Sequence, residues 1–329
     1  MEPLKDSLGR RIKDLRFSVT DRCNFFCSYC RDEKSVVPRE RREILRFEEI
    51  VRLTRILIGM GIEKVRLTGG EPLLRREIEA LIGQLSHLDG LRDLAITTNG
   101  FLLGERAAGL RAAGLRRINL SMDSTRRDRF DRFAGVESYD RVMNGLRAAV
   151  DAGFERIKIN TVLIRGENDD EVVDFLELGR QWGVEIRFIE FMPLEEGDRW
   201  KRELVVAASE IVERVAARYP VTPLPMEDPS QTACEYLVTD LGTTFGIIAS
   251  VSNPFCGHCS RIRITADGCL RTCLFSVAET DLKRILRTGS SDSHIAAFLR
   301  EKVSLKEPGH RINEPDFVKP RRRMLAIGG

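Results

Sequence analysis

Short β-forming runs recur through the first two thirds of this chain, and most of them precede a stretch with helical periodicity. Repeated strand-then-helix units predict a parallel sheet with right-handed crossovers. About six units favour a full or partial (β/α) barrel, with a doubly wound sheet as the second choice. The predicted strands occupy residues 15–19, 64–67, 94–97, 117–120, 156–164 and 185–191.

Helical periodicity is clearest in residues 77–88, where four apolar side chains recur at the spacing of one helix face. Residues 142–152 and 171–182 have similar patterns. A proline-rich connector then follows, with Pro220, Pro223, Pro225 and Pro229. Such a connector predicts a boundary between a first domain, 1–220, and a second, 221–329. Within the second, the β-rich segments 243–251 and 261–265 could pair as strands.

The composition of the chain limits the kinds of partner and the location that it can have. Charged residues form 31% of the 329-residue chain, but the net charge is only +3. A nucleic-acid-binding domain is usually strongly basic, so nucleic acid is not an expected partner. No run approaches the ~18–20 apolar residues of a membrane span, and the charged N-terminus lacks the apolar centre of a signal peptide. We therefore expect a cytoplasmic protein without a membrane partner.

Polar or glycine-containing segments follow five of the predicted strands. In parallel barrels the active site lies at the carboxyl ends of the strands. These five segments are therefore predicted to face one mouth, together with the loop after the first strand. In one of them, Gly69 and Gly70 allow close approach of the backbone to a ligand. The segments are 20–23, 68–72, 97–100, 121–124 and 190–193.

The loop after the first strand carries Cys23, Cys27 and Cys30, spaced C-x3-C-x2-C. In a cytosolic chain, cysteines are more often metal ligands or catalytic groups than disulfides. Three thiolates can hold an iron–sulfur cube by three of its four irons and leave the fourth open. A closed structural metal site would need four ligands.

A second group of cysteines, Cys256, Cys259, Cys269 and Cys273, lies in the C-terminal third. All four could form a structural zinc site, which is what their spacing alone favours. Alternatively Cys256, Cys259 and Cys273 could hold a second open cluster, with Cys269 outside it. Cys234 and His258 are interpreted as bystanders.

The first triad, with Tyr29 before its last cysteine, resembles the signature of radical S-adenosylmethionine enzymes. Within that superfamily the chain resembles the GTP 3′,8-cyclase family of molybdenum cofactor biosynthesis. The resemblance implies a partial (β/α)6 barrel of TIM type, with a C-terminal iron–sulfur subdomain covering its open side. The matching segments are 15–24, 66–72, 97–100, 117–119, 186–192, 255–256, 259, 261–263, 273–275 and 327–329.

The resemblance also implies the cofactors. The first triad would hold a 4Fe–4S cluster whose open iron chelates S-adenosylmethionine, which a single electron cleaves to methionine and a 5′-deoxyadenosyl radical. A second 4Fe–4S cluster would be held by Cys256, Cys259 and Cys273. The positions that would contact S-adenosylmethionine are Tyr29, Gly70, Glu71, Ser121 and Met192.

The substrate implied by the resemblance is GTP, whose guanine would bind the open iron of the second cluster. The radical would take hydrogen from ribose C3′, and C3′ would then attack C8 of the guanine. Arginine suits the triphosphate because its guanidinium binds phosphate in a bidentate way. The substrate positions are Arg16, Arg66, Thr97, Lys158, Arg261, Ile262 (through its backbone) and Arg263. The residues expected to serve catalysis are Arg261, Arg263, Gly328 and Gly329, the last two in a tail that reaches the active site.

Family members imply further partners: a flavodoxin-type reductant, a cyclic pyranopterin monophosphate synthase that acts on the product, and a second copy in a homodimer. The chain departs from the family pattern at Arg31, where methionine is common, and at Met122, where leucine or valine is usual. Two alternatives stay open. One is another two-cluster radical enzyme, such as a peptide-maturing one, against which Arg261, Arg263 and the terminal glycines argue. The other is a zinc-stabilised nucleic-acid-binding protein, against which the near-neutral charge argues.

Overall fold

Six parallel strands form the centre of the fold. The computed structural model describes residues 2–30, 38–195 and 199–328. The six strands pair side by side in chain order, without the reversal of a doubly wound sheet, and this confirms the predicted parallel architecture. They are β1 (Asp14–Ser18), β2 (Lys64–Thr68), β3 (Asp93–Thr98), β4 (Arg117–Ser121), β5 (Arg156–Leu163) and β6 (Glu185–Glu190).

Helices connect these strands and cover one face of the sheet. The three predicted from periodicity are confirmed as α2, α5 and α6, with ends that shift by up to three residues. No helix among the described residues is both long and apolar enough to cross a bilayer. The helices are α1 (Phe47–Gly59), α2 (Ile78–Ser86), α3 (Leu103–Ala112), α4 (Arg127–Ala134), α5 (Tyr139–Asp151), α6 (Val172–Trp182), α7 (Ala208–Ala216), α8 (Leu282–Arg287), α9 (Asp292–Ser304) and α10 (Met324–Ile327).

The C-terminal strands extend both edges of the six-stranded centre. β9 lies parallel beside β6, and β10 lies parallel beside β1. The predicted pairing of segments 243–251 and 261–265 is therefore wrong, because each strand instead continues the parallel ladder at a different edge. β7 and β8 follow β9 antiparallel, and β11 and β12 follow β10. Their bounds are β7 (Val221–Pro223), β8 (Cys234–Val238), β9 (Thr243–Ile248), β10 (Arg261–Ile264), β11 (Cys269–Arg271) and β12 (Thr280–Asp281).

Both parts of the chain thus share one twelve-stranded sheet. The domain boundary near residue 220 stays a prediction.

The two faces of the sheet differ in polarity. On β1, Leu15 and Phe17 are buried and join the apolar core with helix residues such as Leu53. Arg16 lies on the opposite face, because successive side chains of a strand alternate. The interior of an ordinary closed barrel is filled by branched apolar residues. A polar interior therefore indicates a binding site rather than a packed core.

Candidate active site

One cavity at the carboxyl ends of the strands collects most of the predicted site. All five strand-end segments contribute to its wall, as predicted. Six of the eight cysteines also line it, all but Cys234 and Cys269. Predicted positions in the wall are Cys23, Cys27, Cys30, Cys256, Cys259, Cys273, Arg16, Tyr29, Arg66, Gly70, Glu71, Thr97, Ser121, Met192, Arg261 and Arg263.

The first triad is held by backbone contacts within its own loop and with α4. The amide of Cys30 donates to the carbonyl of Cys27 at 2.8 Å, and the amide of Phe26 donates to the carbonyl of Ala134 at 2.8 Å. Burial raises the pKa of Cys27 well above its ordinary value, and the charges of Cys30 and Asp123 raise it further. Three thiolates this close need a positive partner, which the irons of a cluster supply.

The described residues hold no group of three histidine, cysteine or acidic side chains placed around a single metal ion. Each thiolate of a cube binds a different iron, so a cube does not need that convergence. Three cysteines in one loop of the cavity wall are a donor set that fits a cube held by three of its irons.

Tyr29 and Asp123 join the loop that carries the first triad to the barrel. The Tyr29 hydroxyl donates to Oδ2 of Asp123 at 2.6 Å, and the amide of Val162 donates to Oδ1 at 2.8 Å. Burial raises the pKa of Asp123 to about 6 in spite of these two bonds. The loop is thereby fixed to the ends of β4 and β5.

Gly70 and Glu71 bring the end of β2 against the same loop. A Cβ at Gly70 would overlap the carbonyl group of Arg22 and stand 2.8 Å from Cδ1 of Leu325, so only glycine fits. The Glu71 carboxylate accepts from Thr98 Oγ1 at 2.7 Å and from the amide of Asn99 at 2.7 Å. Burial raises the pKa of Glu71 to about 7, although these bonds oppose the rise.

The second triad lies beside Arg261. Nη2 of Arg261 donates to Sγ of Cys259 at 3.4 Å. Burial alone would raise the pKa of Cys259, but the charges of Arg261 and Lys306 outweigh it and lower that pKa to about 6. This thiol is therefore prepared to ligate a metal. Cys269 lies outside the wall, and its sulfur accepts from Nη2 of Arg322 at 3.7 Å.

Residues 306–310, here called the belt, tie the segments of the second triad together. Lys306 is only 3% exposed, and its Nζ donates to the carbonyls of Arg261, at 3.0 Å, and Thr272. Gly309 packs on Cys256, where a Cβ would stand 3.0 Å from Cβ and 3.2 Å from Sγ of the cysteine.

Arg10 secures the belt to the Cys256 segment. Its Nη1 donates to the carbonyls of Cys256, at 2.8 Å, and Pro308, at 2.9 Å. Its Nη2 donates to the carbonyl of Glu307 at 2.6 Å. The N-terminal segment of the chain thus contributes to the second triad.

Three arginines lie side by side across the sheet beneath the triads. Arg16 is in register with Arg263 on β10 and with Arg66 on β2. Burial lowers the pKa of Arg16 well below its ordinary value, and the charges of Arg66 and Arg263 lower it further. Burial likewise lowers the pKa of Arg66 to about 10 and that of Arg263 to about 9. Such crowded cations favour an anionic ligand.

Several polar atoms of the wall are buried without a hydrogen-bond partner among the described residues. They include Nε of Arg66 and Oγ1 of Thr97, both predicted substrate positions, and Oδ1 of Asn160, which was not predicted. Buried polar groups are normally paired, so these atoms indicate the place of a polar ligand.

Lys158, a predicted substrate position, is not in the wall of this cavity. It lines a second cavity, which shares Arg16, Arg66, Arg187 and Arg261 with the first. Its Nζ donates to Oε1 of Glu185 at 2.8 Å. Burial and the charge of Arg187 lower the pKa of Lys158 to about 7, although Glu185 opposes the shift. Ile262 is also outside the wall, with its side chain fully buried in the core.

The C-terminal tail contacts the row of arginines formed by Arg16, Arg66 and Arg263. Arg263 donates to the carbonyl of Gly328, and Ser18 Oγ donates to the carbonyl of Ile327 at 3.3 Å. Gly328 has φ +84°, and a Cβ there would overlap Ser18. Gly329, the last predicted position, lies outside the described residues, as does Arg31.

Sequence reasoning missed Asn160, Arg187 and the belt. Glu185 and Arg187 lie two positions apart on β6 and therefore on the same face, with the apolar Ile186 between them, so the signal was a pair of charged residues facing the barrel interior. The belt contains no cysteine and approaches the second triad only through tertiary packing.

A partial parallel barrel with a cysteine triad at the mouth, beside a glycine-rich strand end, defines a radical S-adenosylmethionine enzyme. Residues 17–179 match the radical SAM superfamily, and residues 184–312 match the family described as Molybdenum Cofactor Synthesis C. The chain belongs to the GTP 3′,8-cyclase family. Membership of the radical SAM superfamily implies a 4Fe–4S cluster and S-adenosylmethionine.

Two relatives support this assignment. The chain is 43% identical to the GTP 3′,8-cyclase of Rhodopirellula baltica, over 99% of this chain and 92% of that one. It is 42% identical to the GTP 3′,8-cyclase of Streptomyces coelicolor, over 99% of this chain and 96% of that one. Streptococcus suis SuiB bound to S-adenosylmethionine shares the fold, with a TM-score of 0.63 at 13% identity, over 88% of this chain and 68% of that one. Family membership decides against both the peptide-maturing and the zinc alternatives.

Proposed function

We propose that this chain is a GTP 3′,8-cyclase, which converts GTP to (8S)-3′,8-cyclo-7,8-dihydroguanosine 5′-triphosphate in the first step of molybdenum cofactor biosynthesis. The observation that carries the proposal is that both cysteine triads and the arginine row line one cavity. Radical generation and GTP binding can therefore occur within reach of each other.

In this function Cys23, Cys27 and Cys30 hold the first cluster. When bound with S-adenosylmethionine, that cluster would supply the radical chemistry needed for hydrogen removal from ribose C3′ of GTP. The protein positions the cofactor and excludes water. Gly70, Glu71, Ser121 and Met192 lie around the mouth where the cofactor would bind, and Tyr29 fixes the triad loop beside them.

Cys256, Cys259 and Cys273 would hold a second 4Fe–4S cluster, which would supply a binding place for the guanine of the substrate. The buried thiol of Cys259, with its low pKa, supports this assignment. The separation of Cys269 from the cavity supports a three-cysteine site.

The arginine row binds the triphosphate. Arg16, Arg66 and Arg263 are in register, and an anion between them offsets their mutual repulsion. Thr97 adds a hydroxyl that has no hydrogen-bond partner among the described residues. Lys158, in the wall of the second cavity, binds the terminal phosphates. A fixed substrate is essential here, because the reacting carbons must be held within attack distance.

The tail completes the site. Its contact with Arg263 orients that guanidinium, so that Gly328 and Gly329 act on catalysis through substrate arginines. A flavodoxin-type electron donor, a downstream cyclic pyranopterin monophosphate synthase, a homodimer and a cytoplasmic location belong to the same proposal and rest on the family alone.

Anaerobic iron analysis and turnover test the function. Purified protein should contain about eight irons per chain, as two cubes require. Reduced protein with S-adenosylmethionine and GTP should form 5′-deoxyadenosine and the cyclised nucleotide. The matched variants are Cys273→Ala, which should lose about half of the iron, and Cys269→Ala, which should keep it. Two-cluster protein that forms neither product would contradict the proposal.

A further inference from the structure

The C-terminal tail is anchored at Arg322, just before α10. Its Nη1 donates to Oδ1 of Asp267 at 2.9 Å, and its Nη2 donates to Oε2 of Glu279 at 2.5 Å. Beyond α10, the carbonyl of Gly328 accepts from Arg263, a predicted substrate position. The two carboxylates therefore set the point from which the tail approaches the arginine row.

Glu279 also binds a second arginine. Its Oε1 accepts from Nη1 of Arg271, whose side chain is 1% exposed. Nη2 of Arg271 donates to the carbonyls of Leu274, at 3.1 Å, and Ser276, at 2.6 Å. Both carbonyls lie in residues 272–279, here called the second-triad loop because it carries one cysteine of that triad. One carboxylate thus joins this loop to the tail.

Ser276 connects the same contacts to the cysteine itself. The amide of Cys273 donates to Oγ of Ser276 at 2.9 Å, and that hydroxyl donates to Oε1 of Glu307 in the belt at 2.5 Å. Arg271 therefore holds the carbonyl of a residue whose side chain positions the backbone of the cysteine. Displacement of Cys273 consequently moves the groups on which the arginine depends.

Asp267, the other half of the anchor, belongs to the turn between β10 and β11. Its carboxylate accepts from Thr265 Oγ1 at 2.5 Å and pairs with Nη2 of Arg39 at 3.0 Å. This half is held by residues outside the second-triad loop. Glu279 is the half whose position follows the loop.

We propose that Glu279 is a positioning residue that makes the placement of the C-terminal tail depend on the second-triad loop. When Cys273 is held in place as a cluster ligand, the loop presents Glu279 to Arg322, and the tail reaches the substrate arginines. When the loop is not formed, the tail loses half of its anchor. The inference rests on the proposed function and deepens it, because it restricts cyclisation to protein whose second cluster is in place.

The test measures release of the tail by trypsin, which cleaves after arginine and therefore at Arg321, Arg322 and Arg323. Anaerobic protein with intact clusters is digested without nucleotide or S-adenosylmethionine, and peptides that end at Gly329 are quantified by mass spectrometry. When opening is fast relative to cleavage, the rate reports the fraction of molecules whose tail has left its anchor.

Glu279→Gln breaks the link, because an amide has one oxygen and its NH2 group then faces one of the two guanidinium groups. This variant should release the tail about tenfold faster than the parent, as the loss of one hydrogen bond between charged groups predicts. Its iron content should equal that of the parent. Glu301→Gln, at an exposed acid on α9, is the matched control and should release the tail at the parental rate.

A double-variant cycle distinguishes a link from general loosening. Cys273→Ala, which lacks a ligand of the second cluster, should also release the tail faster than the parent. The double variant with Glu279→Gln should release it no faster than the faster single variant, because both changes break the same connection. Arg322→Met breaks the connection from the tail side, and its cycle with Cys273→Ala should be non-additive as well.

Three results would overturn the inference. The first is release of the tail at the parental rate in Glu279→Gln. The second is a double variant in which the two effects multiply. The third is loss of about half of the iron from Glu279→Gln, which would make Glu279 a scaffold of the cluster. If Glu279→Gln does not fold, the cycle with Arg322→Met decides in the same way. Failure of the proposed function is recognised separately, because tail release needs no substrate, whereas the parent protein would then not cyclise GTP.

Discussion

Gly309 and Cys256 are in direct contact, although 53 positions separate them in the chain. The α-carbon of Gly309 faces the cysteine so closely that a Cβ would stand 3.2 Å from its sulfur. The contact brings the belt against the second triad, and a Cβ at Gly309 would fit only if Cys256 moved by a few tenths of an ångström. It shows that the second triad depends on residues outside the cysteine-bearing segments.

Gly309→Ala should therefore displace Cys256 and weaken the second cluster while leaving the first intact. Overpacking of this kind destabilises by about 1–3 kcal/mol. Iron content should fall from about eight toward about four per chain. Gly257→Ala is the matched control, because Gly257 also adjoins Cys256 but a Cβ there would meet no heavy atom of the described residues within 4 Å. Equal iron in both variants would show that the contact is not needed.

The strand pattern and the first triad were predictable because each is encoded locally. β1 to β6 appear as β-forming runs, and their polar ends appear as motifs that follow those runs. Parallel strands place such ends at one edge of the sheet, so the shared cavity followed from topology alone. Cys23, Cys27 and Cys30 lie in one loop, and their spacing needs no tertiary information.

The belt and the edge strands were not predictable because they depend on contacts distant in sequence. The segment around Arg261 and that around Phe245 both look like strands that could pair with each other. Their choice of opposite edges depends on the free ladders of β1 and β6, which appear only once the sheet is assembled. Lys306 and His310 similarly acquire their positions from the folded C-terminal part.

Tyr29→Phe should loosen the triad loop. The change removes the donor at 2.6 Å from Oδ2 of Asp123, whose carboxyl is buried. An unpaired buried acceptor costs about 1–3 kcal/mol, so the thermal midpoint of the anaerobic protein should fall. The first cluster should also be lost faster in air than in the parent. Tyr139→Phe is a control, since that hydroxyl bonds a backbone carbonyl away from the triad. Identical oxygen sensitivity of Tyr29→Phe and the parent would contradict the expectation.

Arg322 anchors the tail, and its removal should slow cyclisation without loss of iron. Its Nη1 donates to Asp267 at 2.9 Å and its Nη2 to Glu279 at 2.5 Å. Arg322→Met removes the ion pairs with which Arg322 ties the tail to these carboxylates, which keep Arg39 and Arg271 as partners, so the following residues, including Gly328, should leave Arg263. We expect turnover to fall at least about tenfold, as a loss of substrate positioning predicts. Arg321→Met, at an exposed neighbour, should retain parental turnover. The anchoring role is refuted by equal turnover in the two variants.

Deletion of Gly329 should abolish cyclisation and leave both clusters in place. The carbonyl of Gly328, one residue earlier, accepts from Arg263, so the described end of the tail already contacts a predicted substrate residue. The measurement is product formation together with iron content in the same preparation. If the truncated protein turned over at the parental rate, the tail would have no part in the mechanism.

GTP binding should take up a proton at Lys158. Burial and the charge of Arg187 lower the pKa of this amine to about 7, so much of it is neutral at about pH 8 in the free protein. A bound triphosphate favours the ammonium form and raises its pKa, so GTP affinity should fall as the pH rises above 7. The pH dependence of folding stability has the opposite sign: the depressed pKa makes the protein more stable as the pH rises from about 7 towards the ordinary lysine value of 10.5.

Calorimetric titration at about pH 8, in two buffers with different ionisation heats, should show proton uptake in the parent. It should show much less in Lys158→Arg, because arginine keeps its charge at this pH. If the binding heat of the parent does not depend on the buffer, no proton is taken up, and the triphosphate then lies away from Lys158.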